Sequence, residues 1–111
     1  MRLSIITLNY NSSENTIKLL ESLKNQTDKD FEVIVVDNNS DDISQLMDYK
    51  TAETNIIYIK NDRNLGYSGG NNVGIRKALQ NGADWVLLLN NDTWVESLFT
   101  GRLKAILEGK E

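Results

Sequence analysis

The chain has no cysteine and no histidine among its 111 residues. That double absence excludes disulfides, thiolate or imidazole metal sites, and catalytic triads or acid–base pairs built on those side chains. Any chemistry rests on carboxylates, amides, hydroxyls and the backbone. Cations are also in short supply: twelve Lys and Arg stand against sixteen Asp and Glu, a net charge of −4, with no basic block to neutralise a phosphate backbone. No nucleic-acid partner is expected. No apolar run approaches the length of a transmembrane helix, and the opening MRLSIITLNYN turns polar too soon for a signal peptide. The expectation is a cytoplasmic chain whose only route to a membrane is peripheral.

What is present is an ordinary globular composition, 40% hydrophobic and 25% charged, on a chain too short for two domains of usual size. Residues 1–111 are read as one domain. Leu3 to Leu8 reads as a buried strand, after which Asn9-Tyr10-Asn11-Ser12-Ser13 supplies turn and N-cap residues for a helix marked by Ile17, Leu20 and Leu23. The unit then repeats. Phe31 to Val36 is a second strand, stopped by Asp37-Asn38-Asn39-Ser40 and followed by a short helix with Ile43, Leu46 and Met47 on one face. Ile56 to Ile59 is a third, followed by a polar, glycine-rich segment from Lys60 to Asn72 and a helix carrying Val73, Ile75, Ala78 and Leu79, closed by Asn81-Gly82. Trp85 to Leu89 is a fourth, and Val95, Leu98, Phe99, Leu103 and Ile106 fall at helical spacing in the last element, slightly weakened by Gly101.

Nearly all-apolar strands alternating with helices predict an α/β fold, four mainly parallel strands with helices on both faces. Right-handed crossovers put every strand's C-terminal end on one edge. The clusters Asn9 to Asn11, Asp37 to Ser40, Lys60 to Asn72 and Asn90 to Thr93 should therefore converge on a crevice there, where ligands of open α/β sheets bind.

Each cluster has a structural reading beside a functional one. Asp37-Asn38-Asn39-Ser40 is a turn and helix cap by residue type, yet a carboxylate at that edge also accepts hydrogen bonds from a ligand N–H or a ribose hydroxyl. NLGYSGGNNVG, residues 64–74, either brings backbone N–H groups to an anion or is a flexible loop in which Gly74 lets the helix approach the sheet. It is neither a dinucleotide fingerprint nor a Walker loop. In VLLLNNDTW, residues 86–94, Thr93 with Glu96 matches the S/T-x-x-E capping box and would start the last helix. Asn90 and Asn91 lie outside that explanation. On the same edge as Asp37, their amide oxygens and the Asp92 carboxylate suit a hard divalent cation, Mg or Mn, with positions left for diphosphate oxygens and water.

In order, SIITLNYN, DFEVIVVDNNSDD, NLGYSGGNNVGI and WVLLLNNDTWV span Leu3 to about Leu98. On these motifs the chain resembles the N-terminal, nucleotide-sugar-binding half of the inverting family 2 glycosyltransferases of GT-A fold, particularly rhamnosyltransferase-like members. The resemblance implies a Rossmann-like donor-binding domain in which Thr7, Asn9 and Tyr10 border the nucleobase and Asp37 contacts base or ribose. It implies that Asn64 and Gly66 belong to the loop beneath the nucleotide. Asn90-Asn91-Asp92 matches the family's D-x-D position, with Asn90 leaning toward ribose and metal water and Asp92 holding Mg or Mn. A UDP or dTDP sugar as donor, and a glycan or lipid-linked acceptor for the full enzyme, follow from the same resemblance. Asn90 replaces the family's first Asp, so weaker metal affinity and greater reliance on the donor's phosphates are expected.

In resembling enzymes the general base lies well downstream of the D-x-D position. Here Glu96 fits a helix cap and Glu108 a solvated last turn, so no catalytic base is assigned. The chain is expected to be either a truncated enzyme fragment or a noncatalytic nucleotide-binding or interaction module of the same fold, binding UDP or dTDP nucleotides weakly and turning over little or nothing. A signalling receiver domain needs an acidic pair where Thr7-Leu8-Asn9-Tyr10 stands, and a sugar-phosphate nucleotidyltransferase needs a Gly-rich basic loop where residues 9–16 hold no Gly, Lys or Arg. An incomplete domain would leave an apolar patch that a second copy covers, so a homo-oligomer is a further expectation.

Overall fold

Parallel strands with apolar side chains on both faces need cover on both sides. The computed structural model, which describes residues 1–110, shows how that cover is arranged. Strands β1 (Leu3–Asn9), β2 (Glu32–Asp37), β3 (Asn55–Lys60) and β4 (Trp85–Leu88) alternate with helices α1 (Ser13–Lys24), α2 (Ser44–Met47), α3 (Gly66–Gln80) and α4 (Phe99–Leu107). Every pairing is parallel and the strand order is β3-β2-β1-β4. The chain steps outward from β1 to β3 and then crosses back to the other side of β1. A topological switch therefore lies between β1 and β4.

Alternation along the strands divides the core in two. Leu3, Ile5, Val33 and Val35 share one cluster with Leu19, Leu20 and Leu23 of α1, Leu46 of α2 and Phe99 of α4. Ile6, Ile34 and Val36 share the other with Val73 and Ala78 of α3. The α/β architecture with helices on both faces is as the sequence predicts.

Two helix starts differ from expectation. The glycine-rich stretch is not a loop: α3 begins at Gly66, well ahead of Val73. Glycine in a helix interior costs about 1 kcal/mol relative to alanine, but here the missing side chains let the helix lie close on the sheet. A Cβ at Gly74 would stand 2.6 Å from Ile6 Cγ2, and one at Gly70 2.5 Å from Leu8 Cδ1. Close packing overrides propensity. At the other end Gly82, at φ +83°, closes the helix as expected.

The last helix also starts late. Thr93 and Glu96 do not form a capping box, because α4 begins at Phe99 with Leu98 at its N-cap and no side-chain cap. The Thr93 N–H instead closes a turn on the Asn90 carbonyl at 3.1 Å, and the Glu96 carboxylate pairs with Arg102 at 3.0 Å. Burial of Val95 in the α1-side core and a 2.7 Å bond from Gln26 Nε2 to the Glu96 carbonyl hold this segment in a non-helical path. Val95 and Leu98 therefore precede the helix.

α4 is held by a polar clasp on the segment between α1 and β2. The buried Thr100 hydroxyl donates to the Asp28 carbonyl at 2.7 Å, and Lys104 Nζ reaches the Asp28 carboxylate at 2.9 Å. Partial burial pushes the Asp28 carboxyl up, but the Lys104 ammonium and the Asp30 N–H together hold it below its ordinary value. At the far edge β4 pairs with β1 alone among the described residues, and Trp85 and Leu88 on it are 45% and 41% exposed, leaving an apolar sheet edge open.

Gly74→Ala is expected to lower stability by about 1–3 kcal/mol through overpacking. Gly101→Ala, whose new Cβ would meet nothing nearer than Asp28 Cβ at 3.7 Å, should raise it by about 0.5–1 kcal/mol. Urea unfolding of the two variants reads both signs. Because folding lowers the Asp28 pKa, the clasp's contribution is present above the unfolded carboxyl value and is lost as pH falls through the folded one. Lys104→Met should lose less stability than the parent chain across that acid window.

Candidate functional site

The last rung of the sheet sets Asn9, Asp37 and Lys60 side by side, Asn9 in register with Asp37 and Asp37 with Lys60. Asn9 and Asp37 are buried, at 0% and 3% exposure, so their bonding is internal. Asn9 Nδ2 donates to Asp37 Oδ1 at 2.9 Å, while the Thr16 hydroxyl donates to Asn9 Oδ1 at 2.6 Å. Asp37 also accepts from the Ser40 hydroxyl at 2.6 Å and the Ser40 N–H at 2.9 Å, with Lys60 Nζ 3.8 Å from Oδ2. Of the roughly four acceptor positions of a carboxylate, one on Oδ2 remains, beside Lys60. The turn-and-cap reading of this cluster thus describes most of its bonding, and one acceptor stays open.

Asn11 and Asn39 take left-handed φ angles of 49° and 67°, a conformation asparagine tolerates. The loops after β1 and β2 are thereby knitted together. Ser40 Oγ accepts the Asn11 N–H at 2.8 Å, and Asn11 Oδ1 accepts the Asp41 N–H at 2.8 Å.

Asn38 fixes the start of α3. Its Nδ2 donates to the Gly66 carbonyl at 3.0 Å, and its Oδ1 accepts from Asn61 Nδ2 at 3.0 Å and the Leu65 N–H at 3.3 Å. Asn64 Oδ1 accepts the Gly66 N–H at 2.8 Å, and Gly66 itself sits at φ +76°. Asn64 and Gly66, expected beneath a nucleotide, form the turn that opens this helix.

At the end of β4, Asn91 Nδ2 donates to the Ser12 hydroxyl at 2.6 Å and to the Thr16 hydroxyl at 3.1 Å, tying the strand end to α1. Its neighbours are free of that duty. Asn90 is exposed and its Oδ1 accepts from the Tyr67 hydroxyl at 3.3 Å. Asp92 is exposed and, among the described residues, no hydrogen bond or ion pair holds its carboxylate. Together with Leu8, Leu89, Tyr67 and Asn71 these residues line an open cleft of about 310 Å³. The cleft lies at the switch between β1 and β4, where ligands of such sheets bind. A hollow of about 470 Å³ lined by Arg2, Glu32 and Asn55 opens at the opposite, N-terminal ends of the strands.

Of the residues expected around a nucleotide, Tyr10, Asn64, Asn90 and Asp92 present side chains to solvent, with Tyr10 49% exposed. Thr7 and Asn9 lie inside, and the Thr7 hydroxyl has no hydrogen-bond partner. Tyr67 and Asn71 enter the site without having been singled out in the sequence. Their four-residue spacing places them on one face only once the glycine-rich stretch is read as helix. No group of three or more Asp and Glu side chains converges on a metal position among the described residues. The cleft offers one free carboxylate and amide oxygens, hard ligands of the kind Mg2+ and Mn2+ take, and the remaining ligands would have to come from a bound phosphate and water.

The chain is 41% identical over 91 residues to the low-salt glycan biosynthesis hexosyltransferase Agl10 of Haloferax volcanii, covering 81% of this chain and 27% of that protein. It is 37% identical over 90 residues to an uncharacterized glycosyltransferase of Haemophilus influenzae, covering 81% and 29%. The crystal structure of S. aureus TarS 1–349 in complex with UDP-GlcNAc superposes at a TM-score of 0.85 and 27% identity, over 98% of this chain and 32% of that one. The mannosyltransferase PcManGT from Pyrobaculum calidifontis, in complex with GDP-Man and Mn2+, shares the fold at a TM-score of 0.72 and 20% identity, over 84% of this chain and 28% of that one. The chain thus spans less than a third of the length of these relatives. Across residues 4–109 it also matches the family model of Glycosyl transferase family 2, and it belongs to that family.

Proposed function

We propose that this chain is the donor-binding part of a glycosyltransferase and takes a nucleoside-diphosphate sugar of UDP or dTDP type, together with Mg2+ or Mn2+, at the C-terminal strand ends. The observation that carries this reading is the free Asp92 carboxylate beside Asn90 in the cleft at the β1–β4 switch. The similarity to TarS, seen with UDP and with UDP-GlcNAc, supports the class of donor.

Tyr10, exposed at the end of β1, offers a ring face to the base. The open acceptor on Asp37, with Lys60 beside it, suits a base N–H or a ribose hydroxyl. Thr7 and Asn9 serve from inside, Asn9 by holding Asp37 in place. Asn64 and Gly66 act by shaping the start of α3, and Asn90 leans toward the ribose. Asp92 would hold the divalent cation, which when bound supplies positive charge to the leaving diphosphate.

In the transfer itself, the hydroxyl oxygen of a glycan or lipid-linked acceptor attacks the anomeric carbon, the bond from that carbon to the diphosphate oxygen breaks, and a base takes the hydroxyl proton with inversion. Asp92 is the carboxylate that lines the cleft. Glu96 is paired with Arg102, and Glu108 with Lys110. Holding a cation and accepting a proton are incompatible tasks for one carboxylate, so the chain by itself binds donor without transferring sugar, as part of a longer enzyme or as a binding module. No helix among the described residues is long and apolar enough to cross a membrane, and the proposed setting is the cytoplasm, peripheral to a membrane where the acceptor is lipid-linked.

Calorimetry with UDP and dTDP should show binding strengthened by Mg2+ or Mn2+. Asp92→Ala should weaken the metal-dependent binding roughly tenfold or more, the worth of one charge-assisted contact, while metal-free affinity holds or rises, since a like charge beside the diphosphate is removed. Tight metal binding without nucleotide would contradict the shared site, and sugar transfer by the purified chain would sink the claim that it only binds. Tyr10→Ala should cost roughly tenfold in nucleotide affinity, as loss of one stacked base does, with no change in melting temperature. Asn9→Ala should instead lower stability by about 2–3 kcal/mol, because the partners it leaves are buried.

A further inference from the structure

One buried side chain in the cleft has no internal partner. Asn71 is 5% exposed and its Nδ2 makes no hydrogen bond. Native interiors rarely leave such a group unpaired, and each instance asks for an explanation. The buried amides nearby are fully engaged, Asn9 with Asp37 and Thr16, and Asn38 with Gly66, Asn61 and Leu65. Asn71 lies one helical turn beyond Tyr67 on α3 and lines the cleft with it, together with Leu8, Leu89, Asn90 and Asp92. The helix has no room to move further onto the sheet, because Gly70 is already pressed against Leu8 and Asn38.

We propose that Asn71 is a specificity-determining residue whose side-chain amide hydrogen-bonds a hydroxyl of the donor's sugar ring. The inference rests on the nucleotide-sugar reading above and says which part of the donor this amide recognises. The cleft lining contains no Lys or Arg, so a diphosphate's charge would be matched only through a cation held by Asp92, and the other lining groups are left for a neutral part of the donor. Three amides, a phenol and a carboxylate match hydroxyls, which donate and accept, while Leu8 and Leu89 present an apolar surface to a ring face. At about 310 Å³ the cleft is at the lower end of ligand-site volumes and accommodates one ring rather than a whole nucleotide sugar. The base and ribose then extend toward Tyr10 and Asp37.

Calorimetry of the parent chain and of Asn71→Leu with UDP, dTDP and GDP, and with the hexose conjugate of each, in Mn2+, tests this. The parent should bind at least one conjugate more tightly than its bare nucleotide. Asn71→Leu should lose roughly tenfold on that conjugate and stay within about twofold on the nucleotide. Its melting temperature should hold or rise, since an unpaired amide gives way to an apolar group of similar size; Asn71→Ala provides the same binding comparison with a smaller side chain. A conjugate-to-nucleotide affinity ratio unchanged in both variants, equal weakening of both ligands, or a parent chain without preference for any conjugate would overturn the assignment while leaving nucleotide binding intact. Binding of no nucleotide by the parent would overturn the donor-binding reading itself.

Discussion

Asn9 Nδ2 and Asp37 Oδ1 meet at 2.9 Å where β1 and β2 end, both side chains buried, and the sheet's polar edge is assembled around that bond. A buried carboxylate persists only with partners. Here Asn9 supplies one and Ser40 two, while Thr16 completes the Asn9 amide from α1. Two strands, a helix and a loop are thus joined through side chains of four residues. Asn38 extends the same device to α3, and Asn91 extends it to β4. The asparagines at this edge therefore fall into two groups, those that hold strand ends together and those that face the cleft.

The glycines of α3 determine where that cleft stands. A helix resting on ordinary side chains would sit further from β1, whereas Gly70 and Gly74 let it approach Leu8 and Ile6 directly. The approach brings Tyr67 within 3.3 Å of Asn90 and carries Asn71 into the wall. The helix stands at the cleft wall because it lies close on the sheet, and it lies close because two positions lack a Cβ. Loss of helix propensity at those positions is offset by the packing it permits.

Strand identity, parallel pairing and the shared polar edge were legible in the sequence because apolar runs and turn residues carry them unambiguously. The start of α3 was not, since Gly66 to Asn72 has the composition of a loop and only the facing surfaces of Ile6, Leu8 and Val36 make it a helix. The capping-box match at Thr93 failed for a related reason, burial of Val95 and the Glu96–Arg102 pair being tertiary facts that no local pattern encodes. Within the candidate site the positions were readable and the bonding was not. Asn9 and Asn90 are the same residue at equivalent strand ends, yet one is enclosed by Asp37 and Thr16 and the other stands exposed beside Tyr67. Asn71 could not be distinguished from Asn72 until the helix gave each a face.

Charge explains why donor and cation should depend on one another here. The cleft contributes the single negative charge of Asp92 and no positive one, while Lys60, on the far side of β1 and β2, already leans on Asp37. A diphosphate placed near Asp92 without a cation would meet like charge, and a cation placed there without phosphate would find one carboxylate and neutral amide oxygens. In the proposed site each would supply what the other lacks, so their binding would be mutually reinforcing by linkage. With Asn90 where the resembling enzymes carry a first carboxylate, that dependence would be sharper, since the charge the protein does not provide would have to arrive with the ligand.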